Sequence, residues 1–302
     1  MDITIHHLRV FAEVARQGSF TRAAEALYVS QPAVSKSVRD LERQLRTPLF
    51  EQIGRRVHLT EGGRTLLAHA SRVIAELADA ERALAGLHEA ELGRLSIGAS
   101  NTPGTYLLPG PLGAFRQAHP GVEVVLQIGA TREVLDRLIA GEVDLAVVGE
   151  AQFPAALIAE PYVQDTLALI LAPSHPLATR PHVDLAALAG EPFVLRPPGS
   201  STREVLERAL AGRQFRPRVV MELGSTEAVK KAVGAGLGIS FLSQYAVELE
   251  LQAGALVTRP VAGLDLCRGI YTVRRASLPL VPLYGHFLAA LRRGTTRGND
   301  PR

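Results

Sequence analysis

Residues 30–43, SQPAVSKSVRDLER, carry hydroxyl, amide and cationic groups in a pattern suited to gripping a polyanion. If the segment is helical, Val34, Val38, Leu41 and Leu45 recur at steps of four, three and four and claim the buried side. Gln31, Ser35, Lys36, Arg39 and Arg43 then fall mainly on the other side, near enough to the helix N-terminus to reach base edges in a groove. A second basic group is Arg55 and Arg56, at the tip of a turn, where an arginine can enter a minor groove or pair with phosphates. A third set consists mainly of hydroxyls: Ser100, Asn101 and Thr102 in ASNTPG, Thr131 in GAT, and Ser200, Ser201 and Thr202 beside Arg203 in RPPGSSTR. Each lies where a strand-like run gives way to a helix, and backbone N–H groups and the helix dipole favour an anion there. Arg203 adds a full positive charge suited to carboxylate or phosphate. Taken singly, each of these hydroxyls could equally be an ordinary helix cap.

Catalytic chemistry has no comparable signature. The nine histidines are scattered, and no carboxylate pair or nucleophile motif stands out. Cys267 is the single cysteine, with no partner for an internal disulfide or a metal cluster, and is expected to be a small buried apolar residue. No catalytic residue, metal or cofactor is therefore assigned. GAGLGIS, residues 234–240, follows a helical stretch and precedes a strand, the reverse of a dinucleotide fingerprint, so it reads as a tight connection.

Positioning the polar face at 31–43 requires neighbouring helices. Ser19 can cap one carrying Phe20, Ala23, Ala24 and Leu27, a turn follows at Tyr28 and Val29, and Ser30 can cap the next, with Pro32 in its first turn. Leu8, Phe11 and Ala15 supply a third helix, and small alanines permit a close, steep crossing. Two strands, around Leu49–Gln52 and Arg56–Leu59, joined at Gly54 and Arg55, make a wing. On a lone helix Lys36, Arg39 and Arg43 would read as an ordinary solvated face. The cap-turn-cap spacing, the alanine contact and the basic wing together favour a helix-turn-helix facing duplex DNA.

The chain has 302 residues, 47% of them hydrophobic, enough for two or three domains. Net charge is only +3, and residues 1–60 hold nine Lys or Arg against six Asp or Glu, so placement of charge matters more than its sum. No run of about 18 apolar residues exists to span a bilayer, and the N-terminus lacks signal-peptide order, so no membrane association and a cytoplasmic location are expected.

The segments LRVFAEVARQGSFTRAAEALYVSQPAVSKSVRDLERQL and PLFEQIGRRVHLTEGG resemble the winged helix-turn-helix of LysR-type transcriptional regulators, a family whose length and two-part layout match the whole chain. The resemblance implies that Gln31, Pro32, Ser35 and Lys36 approach bases or adjacent phosphates, that Thr21 and Arg39 touch the backbone, and that Arg55 or Arg56 reaches the minor groove. Lys36 stands where many relatives carry Arg, which favours a flexible point charge over bidentate guanine readout.

Residues 64–91 contain no Pro and one Gly, and Leu66, Ala70, Val73, Leu77, Ala80, Leu84 and Leu87 form a heptad seam, read as a dimerising linker helix. From GRLSIGAS onward apolar strands alternate with helices, an α/β pattern. Strands are expected at 94–99, 122–128, 145–148, 167–171, 193–195, 219–222, 239–242, 256–260 and 269–273, and helices at 103–118, 131–140, 202–211, 226–235, 243–252 and 280–292.

The resemblance implies a periplasmic-binding-protein-like effector domain of two Rossmann-like subdomains, with crossovers near 163–166 and 265–268. The expected layout is DNA binding in 1–60, the linker in 61–92, and effector binding in 93–302. Subdomain I holds 93–164 and 268–302, and subdomain II holds 165–267. A small anionic effector is expected in the cleft. PPGSSTR and STEAVKKAVGAGLGISFLS are closest to the subgroup controlling carbon-fixation or sulfur-assimilation genes, whose loop usually has Gly where Ser201 stands. A phosphorylated sugar or acid, a nicotinamide nucleotide and a small inorganic or acetylated metabolite all remain open as effectors.

The expectation is therefore a ligand-responsive, non-enzymatic regulator with double-stranded promoter DNA, the effector, a homodimer or homotetramer and RNA polymerase as partners. An enzyme with a DNA-binding appendage and a solute receptor are the alternatives. The tail RRGTTRGNDPR is read as solvated.

Overall fold

The computed structural model describes residues 2–53, 56–86, 93–277 and 282–295. The chain divides into two compact units, one holding residues 1–89 and the other most of 90–302, with the short segments 136–143 and 277–279 grouped with the first.

In the first unit Thr4 starts α1 (Ile5–Gln17), its side chain accepting the His7 N–H, and Gly18 at φ +58° ends it by donating its N–H to Val14 O. Ser19 caps α2 (Phe20–Ala26), and its hydroxyl accepts the Arg22 N–H at 3.4 Å. Ser30 occupies the cap position of α3 (Gln31–Leu45), but its side chain makes no capping hydrogen bond, so that start rests on Pro32, whose ring presets the helical φ. Ala23 and Ala24 are buried against Val10, Val14, Val34 and Val38, where any larger side chain would push α2 away from α3. Strands β1 (Phe50–Ile53) and β2 (Arg56–Leu59) pair antiparallel as the wing. Gly54 and Arg55, the expected wing tip, lie outside the described residues.

Helix α4 (Glu61–Gly86) follows. A Cβ on Gly63 would stand 2.1 Å from Leu49 O, so the close approach of α4 to the wing requires glycine there. The heptad stripe divides in two. Leu66 and Ala70 pack, with Leu67 and Ile74, against Leu8, Phe11, Leu41 and Leu49 of the same unit, whereas Val73 is 45% exposed and Ala80 is exposed. The side chain of Leu84 and all of Leu87 lie outside the described residues.

In the second unit, β3 (Gly93–Ser100) runs parallel to both β4 (Val122–Gly129) and β5 (Leu145–Gly149), and β11 (Cys267–Arg275) pairs antiparallel with β5 and with β6 (Leu157–Leu171). Helices α5 (Pro109–Ala118), α6 (Thr131–Ile139) and α10 (Pro282–Thr295) accompany this sheet, with Phe115 and Phe287 edge to face at 5.6 Å between α5 and α10. The far half of β6 pairs antiparallel with β9 (Ser240–Ser243) and β10 (Val257–Arg259). Strands β7 (Pro192–Leu195) and β8 (Arg218–Glu222) are parallel, and a Phe193–Ile239 bridge joins β7 to the β9 side. Helices α7 (Ser201–Leu210), α8 (Thr226–Gly234) and α9 (Gln244–Gln252) complete this half around Leu169, Phe193, Val205 and Phe241.

Three sequence expectations need correction. Strand β6 begins ten residues before 167: LIAEPYVQDT carries Glu160 and Pro161, which obscure strand patterning, and the register against β11 shifts between Ile270 and Tyr271, so the ladder passes the proline with a bulge. The expected helix 103–118 is broken. A π-helical turn (Pro103–Leu107) precedes α5, which restarts at Pro109, a residue that has no N–H to continue the ladder. Cys267 is exposed, its Sγ 3.5 Å from Thr166 Oγ1, at the first residue of β11, opposite Thr166 of β6. The glycines of 234–240 do make a tight connection. Gly236 and Gly238 have φ of +76° and +159°, and a Cβ on Gly238 would lie 2.4 Å from Pro192 O.

Candidate functional site

Two constellations emerge, one in each unit. In the first unit Thr21, Gln31, Pro32, Lys36 and Arg39 are exposed, and Ser35 is half-buried beside them. Gln31 Nε2 donates to Ser35 Oγ at 2.8 Å, and Arg39 Nε donates to the Ser35 carbonyl at 3.2 Å, so the face is held together by its own polar groups. Arg43 is paired with Asp40 one turn back. Thr21, Ser35 and Arg39 also line a surface hollow of about 500 Å³, shared with Glu51, Gln52 and Val57 of the wing. Arg56 belongs to β2, but its side chain lies outside the described residues. Tyr28 was not singled out from the sequence. It is 97% exposed at φ +55°, in the turn between α2 and α3, a conformation that costs a side-chain-bearing residue about 1–2 kcal/mol.

The second constellation is assembled by a residue that sequence reasoning missed. Arg268 on β11 lies opposite Asp165 on β6, at the crossing between the two sheets, and both side chains are sealed, at 1% and 0% exposure. Arg268 Nε and one amino group reach Asp165 Oδ2 at 2.8 and 2.7 Å, while Ser243 Oγ donates to Asp165 Oδ1 at 2.7 Å. The rest of the guanidinium donates to Ser201 Oγ at 2.9 Å, Thr202 Oγ1 at 3.4 Å and Thr102 Oγ1 at 3.1 Å. Three expected effector hydroxyls, from segments about a hundred residues apart, thus meet on one cation. Each accepts from Arg268, so each keeps its own hydrogen to donate elsewhere, which suits an anion.

Among the described residues, the hydrogen bonds of Ser100, Ser200 and Arg203 go elsewhere. Ser100 Oγ accepts the Gly149 N–H at 3.2 Å, and Ser200 Oγ accepts the Arg203 N–H at 3.2 Å as a helix cap. Arg203 Nε donates to Glu207 at 2.6 Å along its own helix. Asn101 and Thr131 are half-buried.

Arg196, at the end of β7, is only 9% exposed and donates to Thr226 Oγ1 at 2.8 Å. Burial pulls its guanidinium below the ordinary arginine range; Tyr106 works against this, and Arg268 works with it. Tyr106, from the π-helical turn, donates to Glu227 of α8 at 2.6 Å. Burial, reinforced by Glu227, raises the Tyr106 phenol well above its usual range, so it remains a donor. Lys230 pairs with Glu227 at 2.7 Å and Glu250 at 2.8 Å. Neither Arg268 nor Asp165 announces itself in sequence: they are a lone base and a lone acid 103 positions apart. The one local hint is a charge set among apolar strand neighbours, as in LCRGIY.

Two family models match the chain: the bacterial regulatory helix-turn-helix of the lysR family over residues 5–64, and the LysR substrate binding domain over residues 88–296. A probable RuBisCO transcriptional regulator of Synechocystis sp. is 41% identical over 274 residues, covering 89% of this chain and 79% of its own length. Among solved structures, a full-length OxyR variant from Pseudomonas aeruginosa has a TM-score of 0.76 at 26% identity, covering 97% of this chain and 95% of its own. The Synechocystis PCC6803 CcmR regulatory domain in complex with 2-PG has a TM-score of 0.63 at 31% identity, covering 70% of this chain and all of its own.

Proposed function

Because the chain belongs to the LysR family of bacterial transcriptional regulators, with relatives in its carbon-fixation subgroup, we propose that it binds promoter DNA as a homodimer or homotetramer and responds to a small anionic metabolite. Residues 1–60 grip the duplex, 61–92 pair the subunits, and 93–302 sense the effector, with the two subdomains exchanging near 165 and 268. Thr21, Gln31, Pro32, Ser35, Lys36 and Arg39 form the duplex face, with Arg55 and Arg56 at the wing, and Tyr28 extends that face. Ser100, Asn101, Thr102, Thr131, Ser200, Ser201, Thr202 and Arg203 surround the effector.

The observation that carries the sensing half is the convergence of Thr102, Ser201 and Thr202 on Arg268 where the two sheets cross. A ligand held by those hydroxyls bears on both halves at once, which is the condition for it to favour one arrangement over another. The 2-PG in the CcmR regulatory domain supports a small anion. No helix among the described residues is long and apolar enough to cross a membrane, in keeping with action in the cytoplasm, and RNA polymerase is a further proposed partner.

Duplex binding titrated against salt tests the reading. Neutralising several phosphates should make log affinity fall linearly with log salt. Salt-independent or absent binding to the protein's own promoter region would refute it, and turnover of any candidate anion would favour the enzyme alternative.

A further inference from the structure

We propose that Arg196 holds the charged end of the effector, and that this end is an oxyanion, a carboxylate or a phosphate, taken on the Nε edge of the guanidinium. The assignment deepens the effector reading above and rests on it. Arg196 stands where β7 ends and the chain turns toward α7, the place in an α/β sheet where ligands are received.

Among the described residues its one hydrogen bond is from NH1 to Thr226, and its buried Nε has no acceptor. The other cations of this region are met by carboxylates: Arg268 by Asp165, Lys230 by Glu227 and Glu250, Arg203 by Glu207. Arg196 has none, and a buried charge without a counter-charge is among the costliest arrangements a fold can hold. An entering anion supplies what the chain omits.

A guanidinium takes carboxylate and phosphate through two parallel N–H bonds, and with NH1 spent on Thr226 the Nε edge is the one left for such a fork. Arg268, which holds the Thr102 and Ser201 hydroxyls and leaves their hydrogens unused, is within electrostatic reach of Arg196, as is Tyr106. Neutral sugars or bases would fill space there but leave the charge unmet.

Calorimetric titration of the full-length protein with inorganic phosphate, malonate and neutral glycerol, at fixed ionic strength, tests the assignment. Saturable binding of phosphate or malonate, but not glycerol, is expected, and the stronger of the two tells phosphate from carboxylate. Arg196→Gln should weaken binding by about tenfold or more, Arg196→Lys less, and the control Arg213→Gln not at all. Without ligand, Arg196→Met should raise the thermal midpoint by about 2–4 °C, because it removes an unmet charge. If Thr102→Val loses binding while Arg196→Gln keeps it, the effector reading stands and the Arg196 assignment falls. If the wild type binds neither anion, both fall. A lowered midpoint for Arg196→Met would also overturn the assignment, since it would show the charge to be satisfied from within.

Discussion

Arg268 and Asp165 lie fully buried with their charges facing each other, so removing either leaves the other uncompensated in the interior. Arg268→Met and Asp165→Asn are each expected to destabilise the protein by about 3–5 kcal/mol. The double substitution should cost less than the sum of the two, because the orphaned partner is removed with its mate. Urea unfolding of the three variants checks this, and fully additive costs would show that the pair does not act as a unit. At this scale the sequence was only partly readable. The hydroxyls stood out because strand-to-helix junctions are local, and three of them do meet. The cation that joins them lies on β11, far in sequence from every one of them, and its pairing with Asp165 across 103 residues leaves no mark on either local pattern.

Elements were more legible than their joints. The helix-turn-helix could be read because its apolar steps, alanine contact and turn fall within 40 residues, and Val34, Val38 and Leu41 are indeed buried. The long strand β6 was half hidden because it serves two sheets and carries Pro161, and the π-helical turn was hidden because prolines are tolerated at a helix start. That turn presents Tyr106 to Glu227, tying the element after β3 to α8. Burial alone would raise the Glu227 pKa, but hydrogen bonds from Lys230 and Tyr106 outweigh it and hold the carboxyl below its ordinary range. Burial likewise would lower Lys230, and its bonds to Glu227 and Glu250 outweigh that and raise it.

These opposite shifts act at opposite ends of the pH scale. The Glu227 contribution is present above the unfolded carboxyl pKa and lost as pH falls through its depressed value. The Lys230 contribution is present below the unfolded lysine pKa and lost as pH rises through its raised value. The brace is therefore fully charged between about pH 5 and about pH 10. Tyr106→Phe should lower stability by about 0.5–1.5 kcal/mol at pH 7, and the gap should narrow below about pH 4. Thermal unfolding at both pH values checks this, and a pH-independent gap would detach Tyr106 from the carboxylate.

Along α4, Leu66 and Ala70 are spent within their own unit while Val73 is exposed. Val73→Asp is expected to weaken self-association by about tenfold or more in sedimentation experiments while leaving helix content unchanged. Unaltered self-association would place the subunit contact elsewhere.

At the scale of the whole molecule, a net charge of +3 on 302 residues does not attract DNA by itself, so the proposed duplex binding rests on where Lys36, Arg39 and the wing arginines stand. The change of architecture along the chain was visible in the sequence because the pattern changes twice, from short helices to a long stripe to alternating strands and helices. The role proposed for Arg196 was not, because that residue becomes meaningful only once burial and the want of a carboxylate are seen together.

The central claim, that the polar face of α3 grips a duplex, is tested most directly by fluorescence anisotropy of a labelled promoter duplex with wild type and Lys36→Ala across a salt series, with native mass reported in parallel. Affinity should fall by about fivefold or more in the variant, its salt slope should shrink by about one, and its subunit count should not change. Equal affinities and equal slopes would contradict the account.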